Sequence, residues 1–251
     1  MLLVSDGAMA RFRLPVPVVL AWTLSGLGIC LWAGCASPPA PSTTSRLPDD
    51  PYVGAQVCGE CHRKILDRQS RSPHALTLRT AAPETLSGKV DPAVRVRDPD
   101  GVLEYGIAER GGRLVQLLFR EGKEIGATPF HYLLGSGTHG VSPLHFTGDD
   151  WRYLKITHYA RGGWGISPLH GVPQDANDRR KDEGWPLTQA DVGDCLRCHT
   201  TRLQFGTQGL DETASEFGVR CETCHGPGRA HVEAARAKQK DLAIENPQKW
   251  T

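Results

Sequence analysis

Polar and apolar positions divide the chain into stretches of different character. From Leu14 to Ser45 no residue is charged, and the apolar run that ends at Ala33 follows Arg11 and Arg13. A basic n-region leading into a greasy h-region is the pattern of an export signal. Either Met1 or Met9 serves as the start, since Met9-Ala10-Arg11-Phe12-Arg13 makes a shorter n-region of better shape. Residues 36–51 are rich in Pro, Ser and Thr; such a segment builds no core and reads as a tether. Folding is therefore expected to start near Tyr52. A short helix is predicted over residues 58–70, stopped at Ser72-Pro73 because the residue before a proline avoids the helical region. From Asp91 to about His170 the period shortens. Residues 94–96, 103–107, 114–119 and 151–156 are β-favouring runs, separated by the turn signals Asp98-Pro99-Asp100-Gly101 and Gly111-Gly112. Helical spacing returns over 230–240. These periodicities are too short for an independent all-β or all-α core, so something besides side chains has to fill the interior.

Composition narrows the class. The chain has 251 residues, 39% apolar and 23% charged, which excludes a disordered or multi-spanning protein. Lysine plus arginine number 29 against 28 aspartate plus glutamate, a net charge of +1 that argues against nucleic acid as a partner. Two counts matter more: eight cysteines, and two methionines, Met1 and Met9, both inside the removable signal.

Apart from Cys30 and Cys35 in the signal, the cysteines form three pairs, each followed at once by histidine: Cys58-Gly59-Glu60-Cys61-His62, Cys195-Leu196-Arg197-Cys198-His199 and Cys221-Glu222-Thr223-Cys224-His225. Random order of this composition would produce about 0.01 such pentapeptides. The spacing suits covalent haem. Two thiols bond to the two vinyl groups, and the adjacent imidazole falls over the porphyrin face as the proximal iron ligand. Three motifs imply three c-type haems, and attachment on the exported side of a bacterial membrane agrees with the signal. Two alternatives use the same thiols. A zinc ribbon from Cys195, Cys198, Cys221 and Cys224 leaves the three histidines and the pair Cys58/Cys61 unexplained. Disulfides between residues three apart suit redox exchange, but no thioredoxin-like strand and helix surround them.

With no methionine outside the signal, the distal faces of the irons must be filled by histidine, by something rarer, or left open. Seven histidines remain outside the motifs: His74, His131, His139, His145, His158, His170 and His231. His74 follows His62 by 12 residues; if the stretch between is helical, the two rings lie about 18 Å apart at about 1.5 Å per residue. They cannot clasp one iron, so His74 is expected to serve another haem and pin the first motif against the C-terminal pair. His231, after the Gly226-Pro227-Gly228 turn, is expected to reach a neighbouring haem. With His139, these are the candidate distal ligands, giving bis-histidine iron of low potential.

Together, Tyr52-Val53-Gly54 before the first motif, Ser72-Pro73-His74-Ala75, and the third motif continuing into Gly226-Pro227-Gly228 with His231 resemble the multihaem cytochromes of the cytochrome c-554 type, a group related to hydroxylamine oxidoreductase and pentahaem nitrite reductase. The resemblance covers about residues 52–232; Gly135-Ser136-Gly137-Thr138-His139 and 164–168 match only its weaker middle part. It implies that His74 and His231 act as distal ligands of haems attached elsewhere. Members commonly carry a fourth Cys-x-x-Cys-His. Either this protein has three haems, or its frame continues past Thr251 and one spare histidine belongs to a further haem. At the other end, Leu31-Trp32-Ala33-Gly34-Cys35 resembles the lipobox of bacterial lipoproteins, with Trp32 where leucine is usual, which makes Cys35 the lipidation site. An uncleaved anchor helix, for which about 20 apolar residues are needed, is the alternative, as is ordinary cleavage that leaves Cys35 free.

The expected fold is mixed with little regular secondary structure: short haem-binding helices and loops, with a small antiparallel β insertion. Its divisions are a signal at 1–35, a tether at 36–51, a first haem segment at 52–90, a β-rich insertion at 91–186, and the second and third haem segments with a C-terminal helix at 187–251. The expected function is electron transfer by an exported, membrane-tethered, periplasmic or cell-surface protein between redox partner proteins. Catalysis at an open haem, on a small nitrogen or sulfur oxyanion, is the alternative. It needs donors such as Lys155, His158, Tyr159 or Arg161 at an iron lacking a distal histidine.

Overall fold

The computed structural model describes residues 50–168, 179–207, 209–239 and 243–247. The export signal, Cys30, Cys35, nearly all of the tether and His170 lie outside the described residues. Four helices carry or flank the cysteine motifs: α1 (Ala55–Gln69), α2 (Gln189–Arg197), α3 (Cys221–His225) and α4 (Arg229–Arg236). The C-terminal helix is thus shorter than its sequence pattern suggested.

Two antiparallel sheets build the middle. One is a four-stranded meander, Val96–Arg97, Leu103–Arg110, Arg113–Arg120 and Lys123–Pro129. Gly111 and Gly112, both at positive φ, make its tight turn, as the glycine pair predicts. The other sheet has seven strands. Its main path runs Leu78–Thr80, Tyr132–Leu134, Gly140–Thr147, Asp150–Leu154, Gly184–Pro186, and the hairpin Ile156–Tyr159/Gly163–Ile166 pairs with the start of Gly140–Thr147. Leu78–Thr80 comes from the first haem segment, so that segment and the sheet interlock.

Residues 151–156 do not form one strand as expected. The ladder breaks at Lys155, whose N–H donates to Gln116 Oε1 at 2.8 Å instead of to a neighbouring strand, and whose ammonium lies 4.1 Å over the Trp185 ring. The expectation that the runs are too short for a core also fails. Each strand is short, but the two sheets pool their inner faces: Tyr105, Ile107, Leu114 and Leu118 of the meander pack with Leu133, Val141, Leu154 and Ile156 of the larger sheet. At about 25 cal/mol per Å² of apolar area, such burial is the main favourable term for this part of the chain. Side chains alternate along each strand, so Tyr132 and Leu134 point away from Leu133 into a second cluster with Leu144, Trp151, Val192 and Leu196. That outer face is where the second cysteine motif sits.

Candidate functional site

The first motif occupies α1. Helix starts leave backbone N–H groups without partners, and here two distant carboxylates supply them. Glu222, inside the third motif, accepts from Val53 N at 2.9 Å and Gly54 N at 2.7 Å, while Glu216 accepts from Ala55 N at 2.7 Å. Negative charge there also complements the helix dipole. Glu222 takes a third hydrogen bond, from Gly228 N at 2.7 Å, and is only 3% exposed. A side chain at Gly228 would meet Val53 and Glu222 itself, so glycine is what lets that N–H come close. The regular helix breaks at His62, the histidine of the first motif, with φ −111° and ψ 40°.

The thiols of Cys58 and Cys221 lie close enough to perturb one another, although 163 residues separate them. That contact holds Cys221 down at about 7 and pushes Cys58 up, burial adding to the rise. The first and third cysteine pairs therefore adjoin.

The second motif ends α2. Thr188 and Asp191 form a capping box: Asp191 N donates to Thr188 Oγ1 at 3.2 Å and Thr188 N to Asp191 Oδ2 at 2.8 Å. Val192 and Leu196 bury against the sheet, leaving Cys195 and Cys198 outward. Burial, with Asp191 and Asp194, pushes the Cys195 thiol up. Beside Cys195 and His199 opens a cleft of about 240 Å³, walled by Leu134, Leu144, Phe146 and Leu187. An apolar wall carrying a thiol and an imidazole suits a porphyrin plate, whose body is apolar and whose iron needs a nitrogen.

Thr201 joins the second motif to the third. Its hydroxyl accepts from Arg220 N at 2.7 Å and from Thr223 Oγ1 at 2.9 Å, and donates to Gly218 O at 2.8 Å. The Ser72-Pro73-His74 loop packs into the same junction. Val219 N donates to His74 O at 2.9 Å, Gly218 N to His199 O at 3.1 Å, and Thr77 Oγ1 to His199 O at 3.0 Å. Gly218 has φ +79°, and a Cβ there would strike the Ala75 carbonyl. The His74 loop is thus tied to the second and third motifs by its backbone, and the His74 ring is exposed.

Ring nitrogens separate the histidines into two groups. His225 Nδ1 lies 2.8 Å from Glu245 O, and Glu245 N donates to His225 O at 3.0 Å, so the Glu245 segment clasps the histidine of the third motif. This bond puts the proton on Nδ1 and leaves the Nε2 lone pair available to a metal. His199 Nδ1 and His231 Nδ1 are buried without a hydrogen-bond partner. By contrast, His145 Nδ1 donates to Pro129 O at 2.9 Å with its ring 4.8 Å from that of His131, and His131 Nδ1 accepts from Phe146 N at 3.2 Å. His158 packs edge-on against Trp164 at 5.3 Å. Of the spare histidines within the described residues, His74, His139 and His231 are left. His139 is exposed in the loop before Gly140–Thr147; Gly135, in the same loop, is held by Thr77 O at 2.7 Å.

Among the described residues, which include all six motif cysteines, no three or more of Cys, His, Asp and Glu are arranged to hold a metal ion, so the four thiols of a zinc ribbon do not converge. The six cysteines are free thiols, so the disulfide alternative is not formed either. Three of the donors named for an open catalytic haem make contacts within the sheet region. Lys155 lies over Trp185, Tyr159 OH donates to Ile166 O at 2.7 Å, and His158 faces Trp164. Sequence reading missed Glu222, Thr201 and Glu245. Only the capping box at Thr188 had a local signature; the others act across long sequence separations. Among the described residues, no helix is long and apolar enough to cross a membrane.

Residues 173–226, which contain the second and third motifs, match the family model described as cytochrome c554 and c-prime. No curated protein sequence matches significantly. Among solved structures, the outer cell wall cytochrome OcwA is similar at 18% identity and a TM-score of 0.45, over 78% of this chain and 35% of that one. An undecahaem cytochrome from the S-layer of Carboxydothermus ferrireducens is similar at 16% identity and a TM-score of 0.44, over 81% of this chain and 24% of that one. The chain thus spans about a third and a quarter of those two proteins.

Proposed function

We propose that this multihaem c-type cytochrome carries three haems, on Cys58/Cys61, Cys195/Cys198 and Cys221/Cys224, and acts as an electron-transfer protein outside the cytoplasm rather than as an enzyme. The observation that carries the proposal is the knot formed by Glu222, Thr201 and the Cys58–Cys221 contact, which holds three Cys-x-x-Cys-His segments together. Each haem, when bound, supplies a one-electron iron couple.

The chain's own contribution is to anchor, ligate and set the potential. Six thiols form the thioether bonds, and His62, His199 and His225 are the proximal ligands. The bond from His225 to Glu245 O raises the basicity of that imidazole and so favours the oxidised iron. His74, His139 and His231 are the distal ligands. His231 is assigned to the first haem because its helix is tied to α1 by Arg236 and Glu60 at 2.9 Å. Ile65, 54% exposed, follows His62 by three residues and would cover that porphyrin. His74 is assigned to the junction of the second and third motifs. Full bis-histidine ligation gives low-spin iron of low potential, with no general acid or base. Export follows from the segment ending at Cys35, which is lipidated and leaves the domain tethered to a membrane beside its redox partners.

The test is expression in a cell competent for cytochrome maturation, followed by the mass of the exported protein, haem quantitation and an absorbance spectrum. Three haems per chain and wholly low-spin spectra are expected. A colourless product of bare polypeptide mass overturns the proposal, and a high-spin haem that binds carbon monoxide or nitrite replaces the carrier with an oxidoreductase.

A further inference from the structure

The second half of α1 carries charges that haem attachment does not use. Lys64, Arg68 and Arg71 follow one another at spacings of four and three. Helical geometry puts them on one side of the chain, and the turn from Arg71 N to Arg68 O at 3.2 Å carries that side past the helix end. All three are exposed. Nearby charges are already matched: Arg63 pairs with Asp67 at 3.1 Å and Arg236 with Glu60 at 2.9 Å. None of the ion pairs among the described residues involves Lys64, Arg68 or Arg71. The stripe starts two residues after His62, so it borders the first haem. It is not a by-product of a basic protein, because the whole chain carries a net charge of only +1. Nor do the other motifs share it. Around the second, Asp191 and Asp194 stand against Arg197, which already pairs with Asp194 at 3.3 Å.

Three uncompensated cations beside one redox centre attract carboxylates and hold them there. We propose that Lys64, Arg68 and Arg71 form the docking surface for an acidic redox protein, one whose cofactor edge is ringed by aspartate and glutamate, and that they bring it to the first haem. The inference rests on haem attachment at Cys58 and Cys61, and the acidic residues Asp191 and Asp194 at the second motif make the two motifs electrostatically distinguishable to partners.

Small ions of known charge test this without the partner in hand. The fully reduced, haem-loaded protein gives one electron per ion to ferricyanide or to hexaammineruthenium(III), and the rate is followed by stopped-flow absorbance. The triple variant K64E/R68E/R71E is expected to slow the ferricyanide reaction about tenfold or more at low ionic strength and to speed the ruthenium reaction, with both differences vanishing at about 0.5 M salt. The variant K89E/R113E/K123E changes net charge equally at exposed positions elsewhere and is expected to have less than about a third of that effect on a logarithmic scale. Equal effects of the two variants overturn the docking surface and leave only net charge. A shifted midpoint potential with unchanged salt dependence also overturns it, by making the cations partners of the haem's own propionates. Loss of the first haem from the unmodified protein, read by mass, is a failure of the attachment scheme and is seen before any kinetics are done.

Discussion

Removing the Glu222 carboxylate is the perturbation with the largest expected effect per atom changed. Its two oxygens accept three backbone N–H groups, from Val53, Gly54 and Gly228, at 2.7 to 2.9 Å, and the residue is 3% exposed. A hydrogen bond to a charged group contributes about 1.5–3 kcal/mol net. Three such bonds to one side chain are not additive, and part of the gain is spent on desolvating the carboxylate. Glu222→Ala strands three donors at the junction of α1, the third motif and the Gly226-Pro227-Gly228 turn, and is expected to cost about 3–5 kcal/mol. Against a total stability of about 5–15 kcal/mol, that is enough to populate unfolded chain. Glu222→Gln keeps one carbonyl oxygen but turns an NH2 toward an N–H donor, so about 2 kcal/mol is expected. Urea unfolding of the haem-loaded proteins, followed by far-ultraviolet circular dichroism, measures both. A Glu222→Gln midpoint indistinguishable from that of the unmodified chain would mean that the carboxylate does not bridge the motifs, and the knot would lose its centre.

Four further outcomes follow from named contacts. Thr201→Val, which keeps the shape and removes the hydroxyl that serves Arg220 N, Thr223 and Gly218 O, is expected to cost about 1–3 kcal/mol in the same assay, while Thr201→Ser costs less than about 1. Truncation after Ala243 removes the Glu245 carbonyl from His225 Nδ1 and is expected to raise the midpoint potential of one haem in spectroelectrochemistry, whereas Glu245→Ala, which keeps the backbone, leaves it in place. Burial holds His131 below the usual imidazole range, with the charges of His145 and Arg113 adding and Glu212 opposing, and burial does the same to His158. The unfolded chain therefore binds more protons as pH falls below about 6.5, so the urea midpoint is expected to drop from pH 7.5 to about 5.5, less steeply in the double variant H131Q/H158Q. His231→Ala is expected to turn one haem high-spin and open it to carbon monoxide, and a wholly low-spin spectrum would remove His231 from the ligand set.

The proposed chemistry is legible in the sequence because covalent haem attachment demands residues close together in the chain: Cys, two spacers, Cys, His. Local rules also located the first helix, the Gly111-Gly112 turn and three of the four meander strands, since turn residues and β-branched runs act over a few positions. The rest depends on partners far away in the chain. Leu78–Thr80 is three residues long and is a strand only because Tyr132–Leu134 lies beside it. Lys155 interrupts a good β run because Gln116, 39 residues earlier, offers its backbone a better acceptor. The two-sheet core was underestimated because each run was judged alone, whereas burial depends on what two faces supply together. The spare histidines show the same limit: sequence context singled out His74, His139 and His231 but offered no partner for His145, and only the Pro129 carbonyl and the His131 ring mark His145 as part of the sheet.

Why the third motif should be the centre of the knot has a physical answer. Three Cys-x-x-Cys-His segments can be spread along an extended chain, but if each proposed haem takes its distal histidine from another segment, the motifs have to be brought together, and a motif that faces both others does this most directly. The third faces both, since Glu222 reaches the start of α1 and Thr223 reaches Thr201. These contacts come from the two spacer residues of Cys221-Glu222-Thr223-Cys224-His225, positions that attachment chemistry leaves unconstrained. In the first motif the spacers are Gly59, which has no room for a side chain against Leu66, and Glu60, which pairs with Arg236. In the second they are Leu196, buried in the sheet cluster, and Arg197, on the surface. The spacers therefore assign each motif its place: the first closes on the C-terminal helix, the second on the sheet, and the third on both of its fellows.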